Sequence, residues 1–193
     1  GGGTDYYADN ISVSENGTQF TVHNGNEEKQ FVTKLIGSHN VQNIVGAIAV
    51  ANTLGVPFAD LVMPVKRLEC VPHRLQIIKG TNKTIIDDAF NSNPTGAKAA
   101  LDTLAVFDGF KILVSPGMVE LGEKEYELNK RFGEQAAEIC DFVIAVGERQ
   151  AVPIVDGLKA KGYPEEKTYV AKNLNEALAK VENIKTGGEK KIV

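Results

Sequence analysis

The chain has 193 residues, 42% of them hydrophobic and 24% charged, with a formal net charge of −4. That is ordinary globular material, enough for one large or two small domains, and an acidic balance without a basic stripe argues against general nucleic-acid binding. Cys70 and Cys140 lie far apart with no CxxC spacing, no signal peptide is evident, and no apolar run is long enough to span a membrane, so the expected setting is the reducing cytoplasm with no membrane partner.

The chain opens on Gly1-Gly2-Gly3, either a cloning scar or a native glycine turn. Residues 5 to 36 read as β structure. Ile11 and Val13 alternate with polar residues, and Gln19–Val22 and Gln30–Val32 flank Asn24-Gly25-Asn26, a hairpin signal. His23 beside that turn reads as an exposed loop histidine. After Gly37-Ser38 a helix is expected, with Val41, Ile44, Val45, Ile48 and Ala51 on one face and Gly55 just past its end. His39, Asn40 and Asn43 then lie near its start. Free N–H groups there favour anions, and an Asn amide, with a donor and an acceptor, matches the edge of adenine. The plainer alternative is that all three only cap and line the first turn.

Pro57 to Met63 suits a short helix. Pro64 to Arg74, with its prolines and mixed polarity, reads as a linker between two domains, 1–71 and 72–193. Arg74 at that junction could fork onto phosphate oxygens or pair with a surface acid. Leu75–Ile78 and Thr84–Ile86 bracket a second hairpin turn. Asp87-Asp88-Ala89-Phe90-Asn91-Ser92 follows, with Asn93 as N-cap and Pro94 at the first helical position. Ala97, Leu101, Leu104 and Ala105 are the expected inner face of the helix 94–106. Two acids and an aromatic ring at the carboxyl end of a strand suit a ribose or magnesium and a flat ring, or else an ordinary solvated turn.

From there strands at 111–114, 142–146 and 168–170 alternate with helices at about 123–139, 149–161 and 173–182. That alternation predicts an α/β domain, Rossmann-like, with a mostly parallel sheet flanked by helices. Lys190–Val193 looks like one more strand beginning. Gly147-Glu148-Arg149 invites a dinucleotide reading, but no GxGxxG is present and a strand-to-helix turn is the plainer view. Glu120 and Glu123 could be paired carboxylates for acid/base work, but nothing specifies a glycosidase and a solvated loop is the plainer view. No metal-ligand spacing of histidines and no GxSxG occur.

Three blocks together resemble the Mur ligase family: Gly37-Ser38-His39-Asn40-Val41-Gln42-Asn43, Val71-Pro72-His73-Arg74, and Ile86-Asp87-Asp88-Ala89-Phe90-Asn91-Ser92-Asn93-Pro94. A fourth, Pro116-Gly117-Met118-Val119-Glu120-Leu121-Gly122, resembles the branch that joins D-alanyl-D-alanine to UDP-N-acetylmuramoyl-tripeptide. The resemblance implies the end of a central ATPase domain over 1–71, partial in its β-plus-helix content, and a C-terminal ligase domain over 72–193. It implies ATP and Mg2+ as cofactors and a cytoplasmic monomer.

In the family a substrate carboxylate attacks the γ-phosphate of ATP, and the resulting acyl phosphate is attacked by an amine. By resemblance Asn43 meets the adenine edge, with His39 and Asn40 supporting that turn. Arg74 reaches the triphosphate, Asp88 holds the ribose or orients the nucleotide, and Phe90 faces adenine. Asn91, Asn93, Met118 and Glu120 are candidate dipeptide contacts. No GxxGKT-type phosphate loop occurs in the chain. The resemblance therefore puts that loop, the magnesium ligands and a modified lysine upstream of Gly1. It also implies a fragment inactive by itself, with the junction near 70–74 as a hinge in the complete enzyme. Folylpolyglutamate or cyanophycin synthetases, and a nonenzymatic nucleotide-binding module, are the competing readings.

Overall fold

The computed structural model of the chain describes residues 5–25 and 27–193; the glycine run Gly1–Gly3 and Asn26 of the hairpin turn lie outside the described residues. The chain divides into two compact units between Val71 and Pro72.

In the first unit, strands β1 (Tyr7–Ser14), β2 (Gly17–His23) and β3 (Glu28–Thr33) form an antiparallel sheet in chain order. Strand geometry sends alternate side chains to one face, so Thr18, Phe20 and Val22 of β2 and Phe31 and Thr33 of β3 are buried together. Phe20 stacks on Phe31 at 5.9 Å between centroids, and Phe58 meets Phe31 edge-on at 5.8 Å. Each fully buried phenylalanine contributes roughly 2 kcal/mol relative to exposure. Helix α1 (Ser38–Thr53) covers this face with Val41, Ile44 and Ile48, while Val45 and Ala51 are only partly buried. A 3₁₀ turn, Phe58–Leu61, and the short helix α2 (Val62–Lys66) close the core.

Three expectations for this unit are corrected. The pairing of β1 shifts between Asp9 and Ser12, with Asn10 at φ 49°. That bulge inserts an extra residue and breaks the alternation, so Ile11 is exposed. His23 is no loop histidine. It ends β2, stacks on Tyr7 at 4.5 Å, and its ring nitrogens lie 3.1 Å from Asp9 and 3.5 Å from Glu28. The linker starts after Lys66, because Pro64 sits in the first turn of α2, where a missing N–H costs nothing.

In the second unit, six strands run in the order β4-β5-β9-β6-β7-β8. They are β4 (Gln76–Lys79), β5 (Lys83–Asp87), β6 (Phe110–Ser115), β7 (Phe142–Val146), β8 (Thr168–Ala171) and β9 (Lys191–Ile192). Only β4 pairs antiparallel; all other neighbours are parallel, and the expected α/β sheet is present. The short β9 lies inside the sheet between β5 and β6, where Ile192 is 1% exposed. Helices α3 (Pro94–Val106), α4 (Glu125–Ile139), α5 (Glu148–Ala160) and α6 (Leu174–Asn183) flank the sheet.

Two details differ from the periodic reading. Leu75 is not in β4: it sits at φ 49°, outside the strand. On α3, Ala105 is exposed and Thr103 takes the buried position. Thr103 is tolerated because its hydroxyl donates to the Ala99 carbonyl at 2.8 Å.

The parallel strands place the carboxyl ends of β5, β6 and β7 along one edge of the sheet. The 88–93 turn, the 116–122 loop and the Gly147 turn therefore share that edge.

Burial, and secondarily the Asp141 carboxylate, push the Cys140 thiol up from 9.0 to about 12, and burial raises the neighbouring Tyr163 phenol as well. The folded chain keeps these protons where the unfolded chain loses them. The corresponding stability is complete below about pH 9 and is lost as pH rises through about 12. The urea midpoint should therefore fall between about pH 8 and about pH 11, and Cys140→Ala should flatten that fall. A midpoint independent of pH over this range would contradict the assignment.

Candidate functional site

The head of α1 belongs to the first unit. Gly37, at φ 103°, ends the preceding loop without a side-chain cap, and no acid occupies the first turn. Asn40 folds its amide back to donate to the Ile36 carbonyl at 2.9 Å, so it braces the turn. His39 is half-buried, whereas Asn43, one turn on, is exposed. Of the three, Asn43 presents its amide outward.

The second group lies at the tip of β5. Asp87 and Asp88 are not a free carboxylate pair. Asp87 contacts His73 Nδ1 with Oδ2 at 2.8 Å and accepts from the Ala89 N–H with Oδ1 at 3.2 Å. Asp88 accepts the Leu75 N–H with Oδ1 at 3.1 Å. His73 and Leu75 both have positive φ, 62° and 49°, a region that disfavours side chains bearing a Cβ. The two carboxylates thus hold the two strained residues on either side of Arg74. The Phe90 N–H also donates to the His73 carbonyl at 3.2 Å. The outcome is that the Arg74 guanidinium lies 4.2 Å over the ring of Phe90, which is itself 65% exposed. An aromatic face, a guanidinium and the Asp88 carboxylate are brought together, a set that can stack a flat ring and hold polar groups beside it. Asp87, read from sequence as half of an acid pair for magnesium, is already committed to His73 and Ala89.

The candidate dipeptide contacts do not behave alike. Asn91 is exposed, and Asn93 caps α3, accepting from Gly96 N–H at 2.9 Å. Glu120 is exposed at φ 63°, while Met118 is buried to 2%. Met118 is held by Asn129, which receives the Met118 N–H at 2.7 Å and donates to its carbonyl at 2.8 Å. A third contact, from Asn129 to the Glu125 carbonyl at 2.9 Å, fixes the rotamer. Gly117, at φ 77°, cannot carry a side chain there, because a Cβ would lie 2.6 Å from Asn129 Oδ1.

Sequence reasoning missed Asn129. Its signal was available: it shares a buried stripe with Phe132, Gly133 and Ala136, where a lone amide needs a specific partner. It also missed the His73–Asp87 contact, for which no periodic signal exists. Between the first turn of α3, Met118 and α4 lies a cleft of about 240 Å³, floored by Ala97, Met118 and Phe132 and edged by Lys98, Arg131 and Gln135. Among the described residues, no group of three His, Cys, Asp or Glu is placed to hold a metal ion.

Residues 73–190 match the model of the Mur ligase glutamate ligase domain, and residues 1–51 match the Mur ligase middle domain. The chain belongs to the Mur ligase family. This Mur ligase chain is 31% identical over 170 residues to the UDP-N-acetylmuramoyl-tripeptide–D-alanyl-D-alanine ligase of Haemophilus influenzae, covering 87% of itself and 37% of that relative. It is 30% identical over 198 residues to the UDP-N-acetylmuramate–L-alanine ligase of Dictyoglomus turgidum, covering 96% of itself and 42% of that relative. It superposes over its whole length on a crystal structure of MurF from Acinetobacter baumannii with a TM-score of 0.86 at 27% identity, covering 42% of that chain. The chain spans less than half the length of these relatives.

Proposed function

We propose that the chain is the latter part of an ATP-dependent, ADP-forming ligase of peptidoglycan-precursor synthesis, acting in the cytoplasm as a monomer. Its residues 1–71 are the end of the ATPase domain and 72–193 the domain that receives the amino component. The reaction is the joining of D-alanyl-D-alanine to UDP-N-acetylmuramoyl-tripeptide through an acyl phosphate. What carries the reading is the tip of β5, where Arg74, Asp88 and the exposed Phe90 are held together by otherwise costly backbone geometry. The similarity to the Haemophilus influenzae ligase over 87% of the chain supports the choice of reaction.

Phe90 offers a face to adenine, Asp88 an acceptor to ribose hydroxyls, and Arg74 a fork to phosphate oxygens. Within the first unit, Asn43 offers an exposed amide of the kind that pairs with a purine edge, with His39 and Asn40 as support. Mg2+, when bound, would shield phosphate charge; among the described residues no group of three His, Cys, Asp or Glu is placed to hold it, and the chain spans 37% of its Haemophilus influenzae relative. No helix among the described residues is long and apolar enough to cross a membrane.

The test is ADP release by a complete ligase that contains this chain. Turnover should require UDP-N-acetylmuramoyl-tripeptide and D-alanyl-D-alanine together, and the 193-residue chain alone should show none. Turnover with L-alanine and UDP-N-acetylmuramate would move the chain to the other branch it resembles. Turnover with glutamate and a folate would overturn the peptidoglycan reading.

A further inference from the structure

Gln76 of β4 and Asp87 of β5 are register partners in the antiparallel pair, so their side chains leave the sheet on the same face. Both reach His73. Asp87 Oδ2 lies 2.8 Å from His73 Nδ1, and Gln76 Oε1 accepts the His73 N–H at 3.4 Å. The His73 carbonyl in turn accepts the Phe90 N–H at 3.2 Å. Ring, N–H and carbonyl of one residue are therefore all tied down. Asp87 is itself fixed, because its Oδ1 accepts the Ala89 N–H at 3.2 Å. These ties explain how His73 persists at φ 62°, a backbone state that a residue with a Cβ keeps only when its surroundings impose it. They add little to stability: the His73 side chain is 62% exposed, and water screens its contact with Asp87. Their effect is directional. His73 is joined through the chain to Arg74 and through its carbonyl to Phe90, the two members of the guanidinium–ring stack at 4.2 Å. Fixing His73 fixes both.

We propose that Asp87 and Gln76 are positioning residues for ATP, which act through His73 to aim Arg74 and Phe90 at the nucleotide. The proposal rests on the ligase reading above. Neither side chain touches the ligand; His73 carries the position of the β4–β5 pair to the two groups that do. A guanidinium that meets phosphate oxygens through parallel hydrogen bonds tolerates little misalignment. Loosening His73 therefore weakens the hold on ATP and leaves the binding of the other two substrates unchanged.

The test is steady-state kinetics of a complete ligase that contains this chain, with ATP, UDP-N-acetylmuramoyl-tripeptide and D-alanyl-D-alanine varied in turn. Asp87→Ala should raise KM for ATP about tenfold and leave the other two KM values unchanged, and Gln76→Ala should raise it less. Asp87→Asn should recover part of the loss, since its amide oxygen still accepts from Ala89 and its NH2 can donate to the imidazole in the other tautomer. His73→Gly separates direction from strain. Glycine adopts φ 62° freely, so the thermal midpoint should stay close to that of wild type while KM for ATP rises as in Asp87→Ala. Arg74→Met should also raise KM for ATP, and Asp87→Ala should cost much less in that background, as groups acting in series require. An equal loss from Asp87→Ala in both backgrounds, or a wild-type KM for ATP in Asp87→Ala or in His73→Gly, overturns the positioning role and leaves the ligase reading intact. An Arg74→Met enzyme with an unchanged KM for ATP overturns the nucleotide site and the positioning role together.

Discussion

Replacing Asp88 by alanine in the complete ligase is expected to lower kcat/KM for ATP by roughly a hundredfold or more, with the fold of the C-terminal unit unchanged. The side chain has two tasks. Its Oδ1 accepts the Leu75 N–H at 3.1 Å and so helps to hold a non-glycine residue at φ 49°. Its charge also stands beside Arg74 and Phe90, where the nucleotide is proposed to lie. Alanine removes both contributions. The turn around Arg74 then relaxes toward ordinary φ values, and the guanidinium leaves its place 4.2 Å above the Phe90 ring. Misplacing a phosphate-binding fork by even an ångström weakens an interaction that depends on alignment. Asp88→Asn separates the tasks, since an amide oxygen still accepts the Leu75 N–H but carries no charge. An Asn variant with near-normal turnover would assign Asp88 to the turn alone, and near-normal turnover in the alanine variant would remove it from the site. Initial rates at varied ATP, with circular dichroism to monitor the fold, decide between these outcomes.

The parts of this structure that follow from local rules were legible in the sequence. Periods of two and of 3.6 residues located the strands and helices, and Asn93-Pro94 announced the start of α3, where Asn93 does cap Gly96 N–H. Where one residue overrides a period, the reading slipped. The bulge at Asn10 turned Ile11 outward, and Thr103 displaced Ala105 from the buried face by bonding its own helix. The candidate site was only half legible. Residue types at the β5 tip suggested nucleotide chemistry, but the use of Asp87 was invisible, because it depends on His73 being folded back 14 positions away. Met118 was singled out from its loop, yet what fixes it is Asn129, and no local pattern ties a loop to an amide 11 residues on. Long-range pairing needs the fold before it can be read.

The largest stability effect is expected at a glycine that no local pattern marks. Gly157 of α5 and Gly133 of α4 lie where the two helices cross with backbones nearly touching. A Cβ at Gly157 would stand 2.0 Å from the Lys130 carbonyl oxygen and 2.9 Å from the Glu134 nitrogen, and one at Gly133 would stand 2.2 Å from the Ile154 carbonyl oxygen. The obstacles are main-chain atoms, so no rotamer change relieves them; the helices must separate. Separation opens voids beside buried Ile154, Leu158, Phe132 and Ala136, adding lost packing to the steric cost. Gly157→Val should therefore cost more than about 3 kcal/mol, a large share of a typical domain's net stability, and leave the C-terminal unit largely unfolded on warming. Gly46→Ala is the control. It lies inside α1 with nothing within 4 Å of the added carbon and no positive φ, so it should stabilise the first unit by about 1 kcal/mol through helix propensity. Thermal unfolding of the two variants should shift in opposite directions. A Gly157→Val chain that melts with the wild type would mean that the close crossing of α4 and α5 is not maintained in solution.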